Sequence, residues 1–300
     1  MSLARIEFPD LKRTNSEIYE AARFRGVFSS LDSENSVDFQ LPSVTVEGSG
    51  EWRGNRWVRG GGFTFAEQSR LISDDNAIEA VTMEIYRDLL AFRAEQTSAH
   101  LIKFWNFVPH INRGAGELEV YKRFSRGRLA GFRLADVSED EFPAASALGH
   151  KGEFLTVHML LSDRSGVHKT NPLQIDAFRY PPQYGSSSPS FARATEVTQS
   201  YGERLVWISG TASIRGHESL HAGNVVAQTE LTLENIGILL EQSNKTRDDI
   251  QSLRVYLRHA EDLEAVRSLV DGALPSGNRV FLQADICRAE LLVEIECTVA

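Results

Sequence analysis

RVFLQADICRAELLVEIECTV, residues 279–299, is the stretch whose reading decides the fold. Two β-rich runs, RVFLQADIC and LLVEIECTV, flank the turn at residues 288–290, and the pattern is that of a hairpin. Along the second run Val293, Ile295, Cys297 and Val299 project to one side and Glu294, Glu296 and Thr298 to the other, because side chains alternate along a strand. One face is apolar and suits a core; the other is acidic. Arg279 opens the first run, and turn geometry can bring it to the side of the pair that carries Glu294, with the register left open by the sequence.

Upstream of this pair the hydrophobic period switches back and forth. LVWIS (205–209) is a short apolar run, and residues 224–242 place Val226, Leu233, Ile236 and Leu240 on one helical face. LRVYLR (253–258) alternates again, and DLEAVRSLV (262–270) returns to helical spacing with Leu263, Val266 and Val270. The order strand, helix, strand, helix, hairpin requires right-handed crossovers, with both helices on one sheet face. The second face is then open to a partner or a ligand.

A fainter copy of the order runs through the first half. RWVRGGGFTF reads as a strand, IEAVTMEIYRDLLAFRAEQ as a helix, LIKFWNFV as a strand, ELEVYKRFSRGRL as a helix and EFLTVHMLL as a strand. An α+β chain of two duplicated domains is expected, residues 1–165 and 166–300, with helices packed on one face of each mixed sheet. Between the halves, residues 163–195 are rich in Pro, Gly and Ser yet carry Phe178, Tyr180, Tyr184 and Phe191. Aromatics in such a segment point to a lid packed across the junction or to a connector pinned in place.

Charge and composition exclude several classes of function. With 32 Lys+Arg against 41 Asp+Glu the net charge is −9, and no basic run is longer than a Lys-Arg pair, so no nucleic-acid partner is expected. No segment approaches the ~20 apolar residues of a membrane span, which points to a cytoplasmic protein without membrane contact. Cys287 and Cys297 lack zinc spacing and read as free thiols, and His217 and His221 share a loop with no third ligand in view, so neither metal nor cofactor is expected.

Three features carry possible chemistry. Glu294 on the acidic face is either a solvated carboxylate or a functional one. Arg279 beside it makes either a salt bridge or a carboxylate-binding site. In the loop WISGTASIRGHES, the small residues Gly210, Thr211, Ala212 and Ser213 permit close approach of a ligand, and their amides suit an anion.

These segments resemble known families. The close RVFLQADICRAELLVEIE, with an Arg fifteen positions before a Glu, is similar to that of RidA/YjgF imine/enamine deaminases. Over a longer span, WNFVPHIN, YKRFSRGR, PAASALG, FRYPPQYG, PSFARAT, ISGTASIRGHES, QTELTLENI and CRAELLVEIE look in order like segments of the chorismatases, which are built on two RidA-like domains of chorismate-mutase-like α/β sandwich type. The resemblance implies a small-molecule substrate, chorismate, and pyruvate release without a cofactor. It assigns Glu294 as the acid that protonates the enolpyruvyl methylene, Arg193 and Arg279 as partners of the substrate carboxylates, and Tyr184 as a hydroxyl donor. Thr211, Ala212, Ser213 and Cys287 would line the pocket. Ala212 and Cys287 fall at positions that differ between product types, Ala as in hydrolytic members and Cys as in 3-hydroxybenzoate producers. The implied product is a hydroxybenzoate, 3-hydroxybenzoate alone or with 4-hydroxybenzoate. A dihydroxycyclohexadienoate from the hydrolytic type, a RidA-like deaminase activity and a non-catalytic carboxylate-binding protein are the alternatives. A monomer or a small homo-oligomer is expected.

Overall fold

A computed structural model of the chain describes residues 46–274 and 277–300, together with Leu31 and the backbone of four short strands, Ser2–Glu7, Ala22–Arg25, Ser29–Ser30 and Ser36–Gln40. The first half consists of β1 (Gly48–Trp52), β2 (Asn55–Gly60), β3 (Phe63–Leu71), α1 (Ile78–Ala94), β4 (His100–Pro109), α2 (Val120–Leu134), β5 (Ala144–His150) and β6 (Phe154–Ser162). The second consists of β7 (Gly166–Lys169), β8 (Ala194–Thr198), β9 (Arg204–Thr211), α3 (Val225–Gln242), β10 (Ile250–Leu257), α4 (Leu263–Ala273), β11 (Asn278–Gln283), β12 (Asp285–Ile286) and β13 (Val293–Val299). The duplication is visible in the strand orders. The first sheet runs β12-β5-β4-β6-β3-β2-β1 and the second β7-β8-β9-β13-β10-β11, with Ser29–Ser30 at the far edge. Within them β2-β3-β6-β4-β5 repeats as β8-β9-β13-β10-β11, each with one parallel pair where a helix crosses over.

Two local expectations change, and one strand has no counterpart in the sequence reading. RWVRGGGFTF is a hairpin, because Gly61 and Gly62 both take positive φ (59° and 79°), as a two-residue primed turn requires. PAASALG, rich in weak strand formers, supplies β5, whose seven residues are all buried. RVFLQADIC and LLVEIECTV are not hydrogen-bonded neighbours, since β10 lies between them, parallel to β11 and antiparallel to β13. The link from β11 to β13 is a long excursion gathered around Arg258. Its guanidinium donates to the carbonyls of Ile286, Arg288 and Leu291 and pairs with Asp285 at 2.8 Å.

This topology moves Arg279 away from Glu294. Arg279 stands opposite Leu253, whose side chain faces the helices, and its guanidinium pairs with Asp271 of α4 at 2.5 Å. Glu294 stands opposite Tyr256, which faces the other way. The two residues occupy opposite faces of one sheet.

Neither sheet has an open face at its centre. The outer faces pack on α1 with α2 and on α3 with α4, each over its own apolar cluster. The inner faces meet each other: Phe63, Phe65, Trp105 and Leu160 from the first sheet pack with Leu205, Trp207, Tyr256 and Ile286 from the second half. The layers run helix, sheet, sheet, helix. The acidic face of β13 therefore lies inside the molecule.

Candidate active site

Glu294 is 4% exposed, on the inner face of β13. Burial, reinforced by the nearby Glu296 charge and opposed by Lys103, raises its carboxyl to about 8. The space for it comes from β9. Ile208 pairs with Cys297 and Thr211 with Ile295, leaving two residues on one strand against one, Glu296, on the other, so β9 bulges at Ser209 and Gly210. A Cβ on Gly210 would lie 1.9 Å from Glu294 Oε1, so only glycine leaves the carboxyl its seat. Ser209 Oγ anchors the bulge to neighbouring backbone, donating to Ala192 O at 2.6 Å and accepting from Ala145 N at 2.9 Å.

Two residues further along the same face, Glu296 is in the opposite state. It accepts from Trp105 Nε1 (3.0 Å), Tyr256 OH (2.8 Å) and Ser146 Oγ (2.5 Å), and pairs with Lys103 and Arg254, each at 2.9 Å. Burial alone would push its carboxyl up, but the two cations and these donors outweigh that and hold it at about 2. One carboxyl is an acid at neutral pH and its neighbour is an anion, a separation characteristic of acid/base assignments.

A second wall faces Glu294. Tyr121 and Arg128 of α2 are electrostatic neighbours of one another, and Tyr121 is also a neighbour of Glu294, Cys287 and Arg288. The Cys287 thiol is pushed up to about 12 by burial and by Glu294, with the Tyr121 hydroxyl in reach, so it is a neutral S–H at physiological pH. Arg288 stacks 3.9 Å from the Tyr184 ring and 5.2 Å from the Tyr180 ring, and donates to His217 O and Ser219 Oγ. Tyr184 OH meets His217 Nδ1 at 3.2 Å. Arg193, 6% exposed, donates to Tyr180 OH at 2.7 Å and Ile175 O at 2.8 Å.

The segment between the halves is fastened to both. Phe178 packs against Phe142 and Ser186 N donates to Glu117 on one side, while Ile175 N donates to Gly216 O on the other. It carries Tyr180, Tyr184 and Arg193 to the junction. Buried Nε atoms of Arg128 and Arg193, and Nη2 of Arg128, have no hydrogen-bond partner among the described residues. Buried guanidinium hydrogens of this kind are the donors a carboxylate ligand would satisfy.

Of the residues expected from sequence, Glu294, Cys287, Tyr184 and Arg193 form one connected cluster, and Arg279 stands outside it. Thr211 ends β9 next to the bulge and Ala212 and Ser213 follow it, but the three spend their polar groups internally: Thr211 Oγ1 donates to Ser209 O, Ser213 Oγ to Leu220 O, and Ala212 O accepts from Asn235. Sequence reasoning missed Tyr121, Arg128, Arg288 and the Lys103–Ser146–Glu296 group. Tyr121 and Arg128 had a signal, seven residues apart on one face of α2, and Arg288 is adjacent to Cys287. Among the described residues no group of three or more His, Cys, Asp or Glu is placed to hold a metal, and no helix is long and apolar enough to cross a membrane.

Fold and site together define a two-sheet α+β enzyme that sets a protonated carboxyl against a wall of arginine and tyrosine at a domain junction. Residues 43–161 match the family described as chorismatase FkbO/Hyg5-like, N-terminal, and residues 190–300 match endoribonuclease L-PSP. The chain is 38% identical over 231 residues to a 3-hydroxybenzoate synthase of Streptomyces hygroscopicus, covering 72% of this chain and 68% of that protein. It is 33% identical over 266 residues to a chorismatase of Streptomyces rapamycinicus, covering 84% and 79%. A chorismatase crystal structure superposes on 100% of this chain and 93% of its own with a TM-score of 0.86 at 28% identity. The chain belongs to the chorismatase family, and both halves have the RidA/YjgF-like fold.

Proposed function

We propose that this chain converts chorismate to pyruvate and a hydroxybenzoate, with Glu294 as the general acid. The observation that carries the reading is the Glu294 carboxyl itself, buried against Gly210 and still protonated near neutrality, with Tyr121 and Cys287 as its neighbours and Arg128 and Arg288 beside those two. Chorismate is a dicarboxylate with an enol ether. Arg193 and Arg128, each with buried unpaired N–H groups, and Arg288 match its two carboxylates, with the Tyr184 hydroxyl as a further donor; Arg279 has no part in this set. Glu294 gives its proton to the exocyclic methylene, and the resulting oxocarbenium ion is captured by the ring 4-hydroxyl. Breaking the ether bond then releases pyruvate, and the ring proton lost on aromatisation restores the acid. Pyruvate and hydroxybenzoate together contain every atom of chorismate, so this route consumes no water. The hydrolytic route to the dihydrodiol consumes one.

Cys287 supports the aromatising route. Its neutral thiol lies beside Glu294 and Tyr121, where it lines the wall next to the reacting ring and displaces solvent from the cation. The product is 3-hydroxybenzoate, alone or with 4-hydroxybenzoate.

Purified protein mixed with chorismate, with no metal or nucleotide added, is expected to release pyruvate together with an aromatic acid, read by a lactate-dehydrogenase-coupled assay and by chromatography. Glu294→Gln should lower kcat by at least about a hundredfold while the melting transition stays cooperative. Pyruvate at only the uncatalysed rate from the wild type would sink the reading. Cys287→Ala opens the wall to water and is expected to shift the product toward the dihydrodiol; an unchanged product ratio would remove Cys287 from control of the product.

A further inference from the structure

The group around Glu296 is more than a tie between the two sheets. Lys103 Nζ reaches Glu296 at 2.9 Å, Ser146 Oγ at 3.1 Å and Ile208 O at 2.8 Å. Ser146 Oγ in turn donates to Glu296 and accepts from Gly210 N at 2.9 Å. Ile208 and Gly210 flank Ser209, the first residue of the β9 bulge. The carbonyl before Ser209 is held by Lys103 and the amide after Ser209 by Ser146, and both of those side chains are held by Glu296. The Glu294 carboxyl rests against Gly210, with Ser146 Cβ 3.2 Å from the point where a Gly210 Cβ would sit.

We propose that Glu296, with Lys103 and Ser146, is a positioning unit for the catalytic acid: it grips the backbone on both sides of Ser209, at Ile208 O and Gly210 N, and so fixes the seat of the Glu294 carboxyl. The inference rests on the reading of Glu294 as the acid. Glu296 touches no reacting atom in that reading; it acts through the bulge and through its charge. Residues two apart on one strand face lie about 7 Å from each other, within range for strong coupling in a dry interior.

The charged and titratable groups packed around Glu294 separate by element. β13 contributes Glu296, β4 contributes Lys103, and β10 contributes Tyr256 with Arg254, which is bound to Glu296. The excursion before β13 contributes Cys287, with Arg288 and Glu290 beside that thiol, and α2 contributes Tyr121, with Arg128 beside its hydroxyl. β9 offers only the uncharged bulge. Glu296 and Lys103 act on the Glu294 proton in opposite senses.

Three variants separate charge from position. Glu296→Gln removes a negative neighbour and should move the alkaline limb of pyruvate release to lower pH. Lys103→Gln removes a positive one and should move it to higher pH. Ser146→Ala cuts the grip on Gly210 without changing charge, so the limb should stay in place while kcat falls roughly a hundredfold and KM changes by less than about twofold. A titration by infrared difference spectroscopy, following the protonated carboxyl band that Glu294→Gln removes, reads the same shifts without turnover. Variants that only lower the melting temperature, with limb, band and kcat of the folded protein unmoved, would overturn the proposal. If the two charge variants do not fold, Ser146→Ala decides alone, and an unchanged kcat there overturns it. Wild-type protein that releases no pyruvate would sink the functional reading instead, with the infrared band still reporting on the positioning unit.

Discussion

Glu294 and Glu296 are chemically identical and lie two residues apart, yet one holds its proton and the other does not, because their partners differ. Alternation along the strand placed both on one face from sequence alone. It could not say which would be the acid, since Lys103, Trp105 and Ser146 reach Glu296 from 150 or more positions away in the chain. The Arg279-to-Glu294 spacing misled for a related reason: it counts positions and ignores which face each residue takes. The difference between the two glutamates has a consequence for stability. The folded Glu294 carboxyl, at about 8, binds its proton more tightly than the same group unfolded, near 4.5. Its contribution is complete below pH 4.5 and is lost as pH rises through about 8. Glu296, held at about 2, has the opposite sign, and its contribution is lost as pH falls from 4.5 through about 2. Glu294→Gln removes only the first effect. Urea unfolding of the wild type and this variant at a series of pH values should show the variant gaining on the wild type between pH 5 and pH 9, by up to roughly 5 kcal/mol. Parallel stability curves would mean that the Glu294 carboxyl is not desolvated.

At the scale of elements, period and propensity were enough for the helices and for most strands, because α1, α3 and α4 and the central strands carry their apolar residues at regular spacing. The failures share a cause. β5 is built mainly from Ala, Ser and Gly, whose strand conformation is imposed by burial between β4 and β12 and by the α1–α2 layer, and no local preference announces it. Small side chains are what the place needs: Ser146 must fit beside Gly210, and Ala145 and Ala147 lie under the aromatic cluster of Tyr86, Phe104, Phe132 and Phe142. The supposed hairpin failed because adjacency in sequence is a weak guide to pairing once a crossover helix has set a parallel neighbour. β11 follows α4 and so pairs with β10, and the chain needs the Arg258-centred excursion to reach the free side of β10. That excursion carries Cys287 and Arg288 into the site. The detour that defeated the hairpin reading is therefore what builds the second wall.

For the whole molecule, the duplication read from the order of elements determined more than the number of domains. Two sheets that each cover one face with helices must hide the other, and here each is the other's cover. A shared inner layer of Trp105, Phe63 and Phe65 against Trp207, Tyr256 and Ile286 is sealed at its polar centre by Glu296, whose partners come from both halves. β12 also leaves the second half to pair with β5 of the first. The halves are thus parts of one structure, although each repeats a complete topology. Expression of residues 166–300 alone would expose Trp207, Tyr256 and the apolar face around them, and would leave Glu296 without Lys103, Trp105 and Ser146. The expected outcome is a fragment that self-associates or binds a hydrophobic dye strongly and lacks a cooperative unfolding transition, while co-expression with residues 1–165 restores a single transition and pyruvate release. Size-exclusion chromatography and thermal unfolding decide it. A monomeric fragment that unfolds cooperatively on its own would show that the second half does not depend on the first sheet for its fold, and that Glu296 tolerates losing the partners that hold the bulge under Glu294.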